Sequence, residues 1–72
     1  MGSNEIEKFA YVLDLEDDVL ILTSDERIQA PNVMFLMVEH EAIECRVYET
    51  NGLEDMQKWN FVTMYTGIMS SL

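Results

Sequence analysis

Two apolar runs, Val19-Leu20-Ile21-Leu22 and Val33-Met34-Phe35-Leu36-Met37-Val38, set the terms on which this chain can fold. Each is apolar at successive positions, the pattern of a strand covered on both faces, and the polar stretch between them closes on Pro31-Asn32. The two runs are expected to form paired central strands. A chain of 72 residues buries only roughly 60% of the surface it exposes when unfolded, so it can hardly cover both faces of both strands. A spare apolar surface is therefore expected.

The rest of the chain supplies elements around that pair. Phe9-Ala10-Tyr11-Val12-Leu13 reads as a first strand, and the acidic cluster Asp14-Leu15-Glu16-Asp17-Asp18 as a hairpin turn. Thr23-Ser24-Asp25 closes the second strand with side chains that bond to their own backbone. After a turn at Glu39-His40-Glu41, Ile43, Cys45 and Val47 alternate with Glu44, Arg46 and Tyr48, which predicts a half-exposed strand at a sheet edge. Asn51-Gly52 ends it, and Asn51 with Glu54 three residues on fits the cap of a helix beginning near Leu53. Trp59 to Thr66 is rich in β-favouring residues, but periodicity argues for helix. At roughly 100° per residue, Phe61, Val62, Met64, Tyr65, Ile68, Met69 and Leu72 gather on one half of a wheel, and Asn60, Thr63, Thr66, Gly67, Ser70 and Ser71 on the other. The expectation is an α+β fold: one acidic domain over residues 1–72, with a small antiparallel sheet of about four to five strands and a C-terminal helix.

Charge and residue chemistry exclude more than they assign. Four Lys and Arg stand against 14 Asp and Glu, a net charge of −10, which repels nucleic acid and attracts basic surfaces. Cys45 is the only cysteine, so no internal disulfide forms; it reads as a small core residue of a protein from a reducing compartment, the cytoplasm. His40 has no Cys or second His at metal spacing, Ser24 lacks the glycines of a nucleophile elbow, and the three glycines build no phosphate loop. The carboxylates cluster in predicted turns, where solvent holds them apart from acid–base work. No catalytic residue, metal or cofactor is assigned, and no enzyme activity is expected. Neither a secretion signal nor an apolar run near ~20 residues is present, so no membrane partner is expected. The six methionines read as core filling before they read as an adaptable binding surface.

Ala10-Tyr11, the segment Asp18-Val19-Leu20-Ile21-Leu22-Thr23-Ser24-Asp25, and Pro31 opening an apolar strand together resemble the phage uracil-DNA glycosylase inhibitor family, over about half the chain. The resemblance implies an acidic mimic of DNA. Such a protein seats a strand edge and carboxylates in the enzyme's DNA-binding cleft and encloses its protruding leucine in an apolar pocket. Leu20, Leu22 and Phe35 fall at positions that resemble the pocket lining, and Asp25 matches an acidic position at a strand end. In the family, helices and a docking strand containing Glu-Ser precede the matching region, whereas here nine residues precede Ala10. Glu49, with Glu54 and Asp55, is expected to stand in for that missing element, as in a permuted order. The implied partner is uracil-DNA glycosylase in a 1:1 complex, in the host cytoplasm if the protein is phage-encoded. Two other readings compete: a DNA mimic aimed at a host-defence nuclease, and a small homo-oligomeric module, such as a homodimer, whose spare sheet face meets a copy of itself.

Overall fold

A computed structural model describes residues 8–67 of the chain. The acidic turn makes a hairpin as expected: β1 (Phe9–Asp14) pairs antiparallel with β2 (Val19–Ser24), Leu13 opposite Leu20 and Tyr11 opposite Leu22. Its turn is closed by the Leu15 N–H, which donates to the Asp18 carbonyl at 2.8 Å. Glu16, Asp17 and Asp18 are exposed there, so the hairpin forms without stripping water from their carboxylates.

The second apolar run does not form a strand. Ala30–His40 is a helix, α1. Gln29 stays extended and its carbonyl accepts from the N–H groups of Asn32 and Val33 at 2.9 and 3.0 Å, which starts the first turn. Pro31 sits inside that turn, where its missing N–H forfeits no helical bond, so the proline opens a helix rather than a strand. Val33 and Met37, four residues apart, are buried on one side, while Phe35 and Val38 are 66% and 69% exposed on the other. The helix stops at Glu41, whose φ of 57° is left-handed. There the Ala42 N–H donates to the Met37 carbonyl at 2.8 Å and the Glu41 N–H to that of Val38 at 3.2 Å, a Schellman closure that carries Ala42 into the core beside Met37.

β3 (Glu44–Glu49) follows and pairs antiparallel with β1 on one side and with β4 (Asn60–Thr66) on the other. The strand order is β2-β1-β3-β4. The alternating strand expected at an edge is therefore internal, and the run Val19–Leu22 expected at the centre lies in an edge strand. α1 carries the chain from β2 over β1 to β3. The result is α+β, an antiparallel sheet of four strands with one mid-chain helix on one face.

The expected C-terminal helix is also overturned within the described residues. Asn51 and Gly52 make a turn at φ 53° and 78°, and no α-helix is capped by Asn51 and Glu54. A single 3-10 turn, Met56–Lys58, follows instead; the Asp55 carboxylate caps it by accepting from the Gln57 N–H at 3.0 Å. β4 then takes up the β-favouring residues. Phe61 registers with Tyr48 and Thr63 with Val47, which leaves Val62 as the extra residue of a bulge. Ile68, Met69 and Leu72, the remainder of the helical wheel, lie outside the described residues. Gly67 ends β4 where a Cβ would stand 3.1 and 3.2 Å from the carbonyl oxygens of Ala42 and Ile43, so backbone meets backbone there.

The core lies between α1 and one sheet face, with Tyr11, Leu13, Val33, Met37, Cys45 and Val47 fully buried. Tyr11 also ties down the β2–α1 connection, since its hydroxyl oxygen accepts from the Ile28 N–H at 2.8 Å.

Candidate functional site

Strand register lays out the sheet face turned away from α1 in three rows. Across β2, β1, β3 and β4 the first reads Val19, Asp14, Glu44, Thr66; the second Ile21, Val12, Arg46, Met64; the third Thr23, Ala10, Tyr48, Phe61. Val19, Ile21, Phe61 and Met64 remain 56%, 38%, 59% and 46% exposed, which is the spare apolar surface that the small core predicts. Tyr48 packs between two aromatic rings, 6.0 Å from Trp59 and 5.8 Å edge-on from Phe61. The Trp59 indole N–H donates to the Leu53 carbonyl at 2.7 Å and so fixes that end of the β3–β4 connection. In the middle row the Arg46 Nε stands 3.2 Å from Glu44 Oε2, an ion pair with both side chains partly exposed and without hydrogen-bond alignment. Such a pair adds little stability.

The carboxylates divide between the two ends of the sheet. Ser24, Phe9, Glu49 and Asn60 share the last register row, so Asp25 and Glu49 stand at one end. The loop carrying Glu54 and Asp55 joins β3 to β4 at that same end. All four expected acidic residues are thus brought to one end of the sheet, and all are exposed. The opposite end holds a set that charge counting alone did not assemble. The hairpin turn places Glu16, Asp17 and Asp18 there, Asp14 pairs with Glu44, and the helix terminus adds Glu41. The Ile43 N–H, which donates to the Asp14 carbonyl at 2.8 Å, is the link that holds the helix exit against the hairpin.

The apolar pocket expected from Leu20, Leu22 and Phe35 is not formed by those three. Leu20 and Leu22 do share a strand face, as period 2 requires, but it is the core face, where both are half-buried against the cluster under α1. Phe35 instead lines an apolar depression of about 340 Å³ with Pro31, Met34, Met37, Val38, Ala42 and Gly67. Pro31, Met34, Phe35 and Val38 follow helical spacing, so the depression runs along one side of α1 toward Ala42 and Gly67, beside the Asp14–Glu44 end of the sheet. The sequence signal for this groove is visible only once the segment is helical: as a strand, the same run puts Met34 and Phe35 on opposite faces.

No group of His, Cys, Asp and Glu among the described residues could hold a metal ion, and no described helix is long and apolar enough to cross a membrane. His40 lies exposed in the last turn of α1. Compared with known protein families, characterised proteins and solved structures, the chain matches none.

Proposed function

We propose that this protein is an acidic binding domain that blocks the DNA-binding cleft of an enzyme, with uracil-DNA glycosylase the target implied by the likeness of Ala10-Tyr11 and Asp18–Asp25 to its phage inhibitors. The observation that supports it most is the apolar groove along α1 ending beside the carboxylates of Asp14, Glu16, Asp17, Asp18, Glu41 and Glu44. An enzyme that flips bases carries a basic cleft for phosphates and an apolar wedge for the base stack. Carboxylates can occupy the first and the groove can receive the second. Phe35 keeps its expected place in that reading, whereas Leu20 and Leu22 leave the pocket and serve the core. Asp25, Glu49, Glu54 and Asp55 form a second acidic surface at the far end of the sheet, in reach of a cleft that follows the strands. The portion of the likeness that made Pro31 open a strand does not carry over, because that segment is helical.

A uracil-excision assay tests the proposal. Near-stoichiometric protein is expected to stop excision. Phe35→Asp, at a site 66% exposed, should relieve inhibition while leaving the circular dichroism unchanged. Neutralising Asp17 with Glu41, or Glu49 with Glu54, should weaken binding by about 1.5 to 3 kcal/mol for each charge-assisted hydrogen bond removed, and the larger effect identifies the docking end. Excision that continues at an unchanged rate in large molar excess rejects uracil-DNA glycosylase as the target. The same protein added to a DNA nuclease then tests the broader class.

A further inference from the structure

The apolar groove along α1 meets the continuing chain at one end. Gly67 is a lining residue of that depression and also the last described residue, so residues 68–72, Ile-Met-Ser-Ser-Leu, leave the sheet beside the Ala42 end of the groove. The Gly67 N–H donates to the Ile43 carbonyl at 2.8 Å, and a Cβ there would stand 3.1 Å from the Ala42 carbonyl oxygen, so the backbone leaving β4 is held hard against the helix exit. From Trp59 to Leu72 no residue is charged, and three of the last five are apolar. Reach and size both permit a fit. Pro31 to Val38 spans only about 10 Å of helix, whereas five extended residues reach up to roughly 17 Å, which leaves chain for a reversal after Gly67. A dry cavity of roughly 150 Å³ takes one benzene-sized group, so the groove, at about 340 Å³, has room for two aliphatic side chains.

We infer that residues 68–72 turn back over α1 and seat Ile68 and Leu72 in the groove against Met34, Phe35 and Val38. The inference does not rest on the inhibitor reading. The two anchors stand four residues apart, a spacing that shares a face in a strand and in a helix alike, so the fit is open to either backbone. Position and charge select this occupant over the others. The N-terminal segment enters at the opposite end of the sheet, where the Lys8 N–H donates to the Ser24 carbonyl and the Lys8 carbonyl accepts from the Thr50 N–H. It would also carry Glu5 and Glu7 toward an apolar lining that adjoins Asp14, Glu41 and Glu44. A second copy brings a charge of −10 against −10. The segment after Gly67 is neutral, and its tether holds it at an effective concentration on the order of millimolar, which a free partner in dilute solution does not match. Any apolar side chain that a partner presents to the groove then has to displace Leu72, so the chain carries its own competitor for that site.

Nuclear Overhauser contacts in the isotopically labelled full chain test this. Contacts from the Ile68 and Leu72 methyl groups to the Phe35 ring and the Met34 methyl are expected. Mixing labelled with unlabelled chains and selecting contacts between the two should show none, which separates a chain's own segment from that of a second copy. Ile68→Ser with Leu72→Ser should then open the groove, so that fluorescence of the neutral apolar dye Nile red rises several-fold with unchanged circular dichroism. Adding Phe35→Ser should return the signal toward the wild-type level. Where the doubly substituted chain fails to fold, the wild-type contacts decide. Leu72 contacts confined to residues 68–71, or made to Val19, Ile21 or Met64 on the other sheet face, overturn the inference, as do contacts found only between chains. A dye signal that the double substitution leaves unchanged overturns it too. None of these readouts involves uracil excision, so the inference and the inhibitor reading fail separately.

Discussion

Cys45 occupies the centre of the core, opposite Leu13 on one side and Tyr65 on the other, with no exposed surface. Burial disfavours the thiolate and pushes its pKa up from 9.0 to about 11. The folded state therefore keeps the proton over a range in which the unfolded chain releases it. Its contribution is fully present below pH 9, declines as pH rises from about 9 to about 11, and amounts to about 2 to 3 kcal/mol. Urea unfolding at pH 8 and pH 10.5 should show that fall in the wild type and a smaller one in Cys45→Ala. An equal fall in both proteins would assign the alkaline loss to other groups. The lone cysteine is legible as a core residue because its neighbours at alternate positions, Ile43 and Val47, mark an apolar strand face. What alternation cannot say is where that face ends: Val47 is buried and Ile43, just before β3, is 57% exposed.

At the level of elements, the two segments that sequence patterns misassign fail for physical reasons that can be measured. Val33–Val38 is apolar without interruption, so it carries no period, and helix and strand fit it equally until Pro31 and the Glu41 closure are placed. The two structures differ in which pairs share a face. A strand would put Phe35 and Met37 together, whereas α1 buries Met37 and leaves Phe35 at the surface. Met37→Ala is expected to cost about 2 to 5 kcal/mol and Phe35→Ala a few tenths, read from denaturant midpoints. Equal costs would restore the strand. β4 misleads in the opposite direction. The bulge at Val62 sets Phe61 and Met64, both facing away from α1, three residues apart, and a spacing of three is what a helical wheel rewards. The β1–β2 hairpin is legible because two runs of β-favouring residues flank the acidic turn at Asp14–Asp18, and β3 because its alternation is unbroken and ends in turn chemistry at Asn51-Gly52. β3's interior place is not, since half-exposure of Glu44, Arg46 and Tyr48 reflects an uncovered sheet face and says nothing of edges. The same distinction governs the site. Asp25, Glu49, Glu54 and Asp55 share one end of the sheet because each stands at a strand end or in the loop that joins β3 to β4, a local property, while the groove at Phe35 depends on the helix and on Gly67, far apart in the chain.

For the molecule as a whole the dominant electrostatic fact is repulsion. Fourteen acidic residues face four basic ones, and among the described residues the one ion pair is Arg46–Glu44. The topology sharpens the imbalance by collecting carboxylates at both ends of the sheet instead of spreading them, so each end raises the local negative potential of the folded state above that of the expanded chain. A domain held by such a core should gain stability when its charges are screened. Adding NaCl from about 0.01 M to about 1 M shortens the Debye length from roughly 30 Å to roughly 3 Å, which silences repulsion between neighbouring carboxylates across an end. A gain of even 1 kcal/mol in a domain of this size corresponds to roughly 4–8 °C, so thermal midpoints by circular dichroism should rise by several degrees. Because association would also raise the midpoint, the measurement belongs at low protein concentration. A rise isolates intramolecular repulsion, and a fall would mean that attractive pairs outweigh the acidic ends. The first outcome carries a functional corollary. A basic cleft closing over either end relieves the same repulsion that salt does, so part of the affinity for a cationic partner would already be stored in the free fold as unscreened charge.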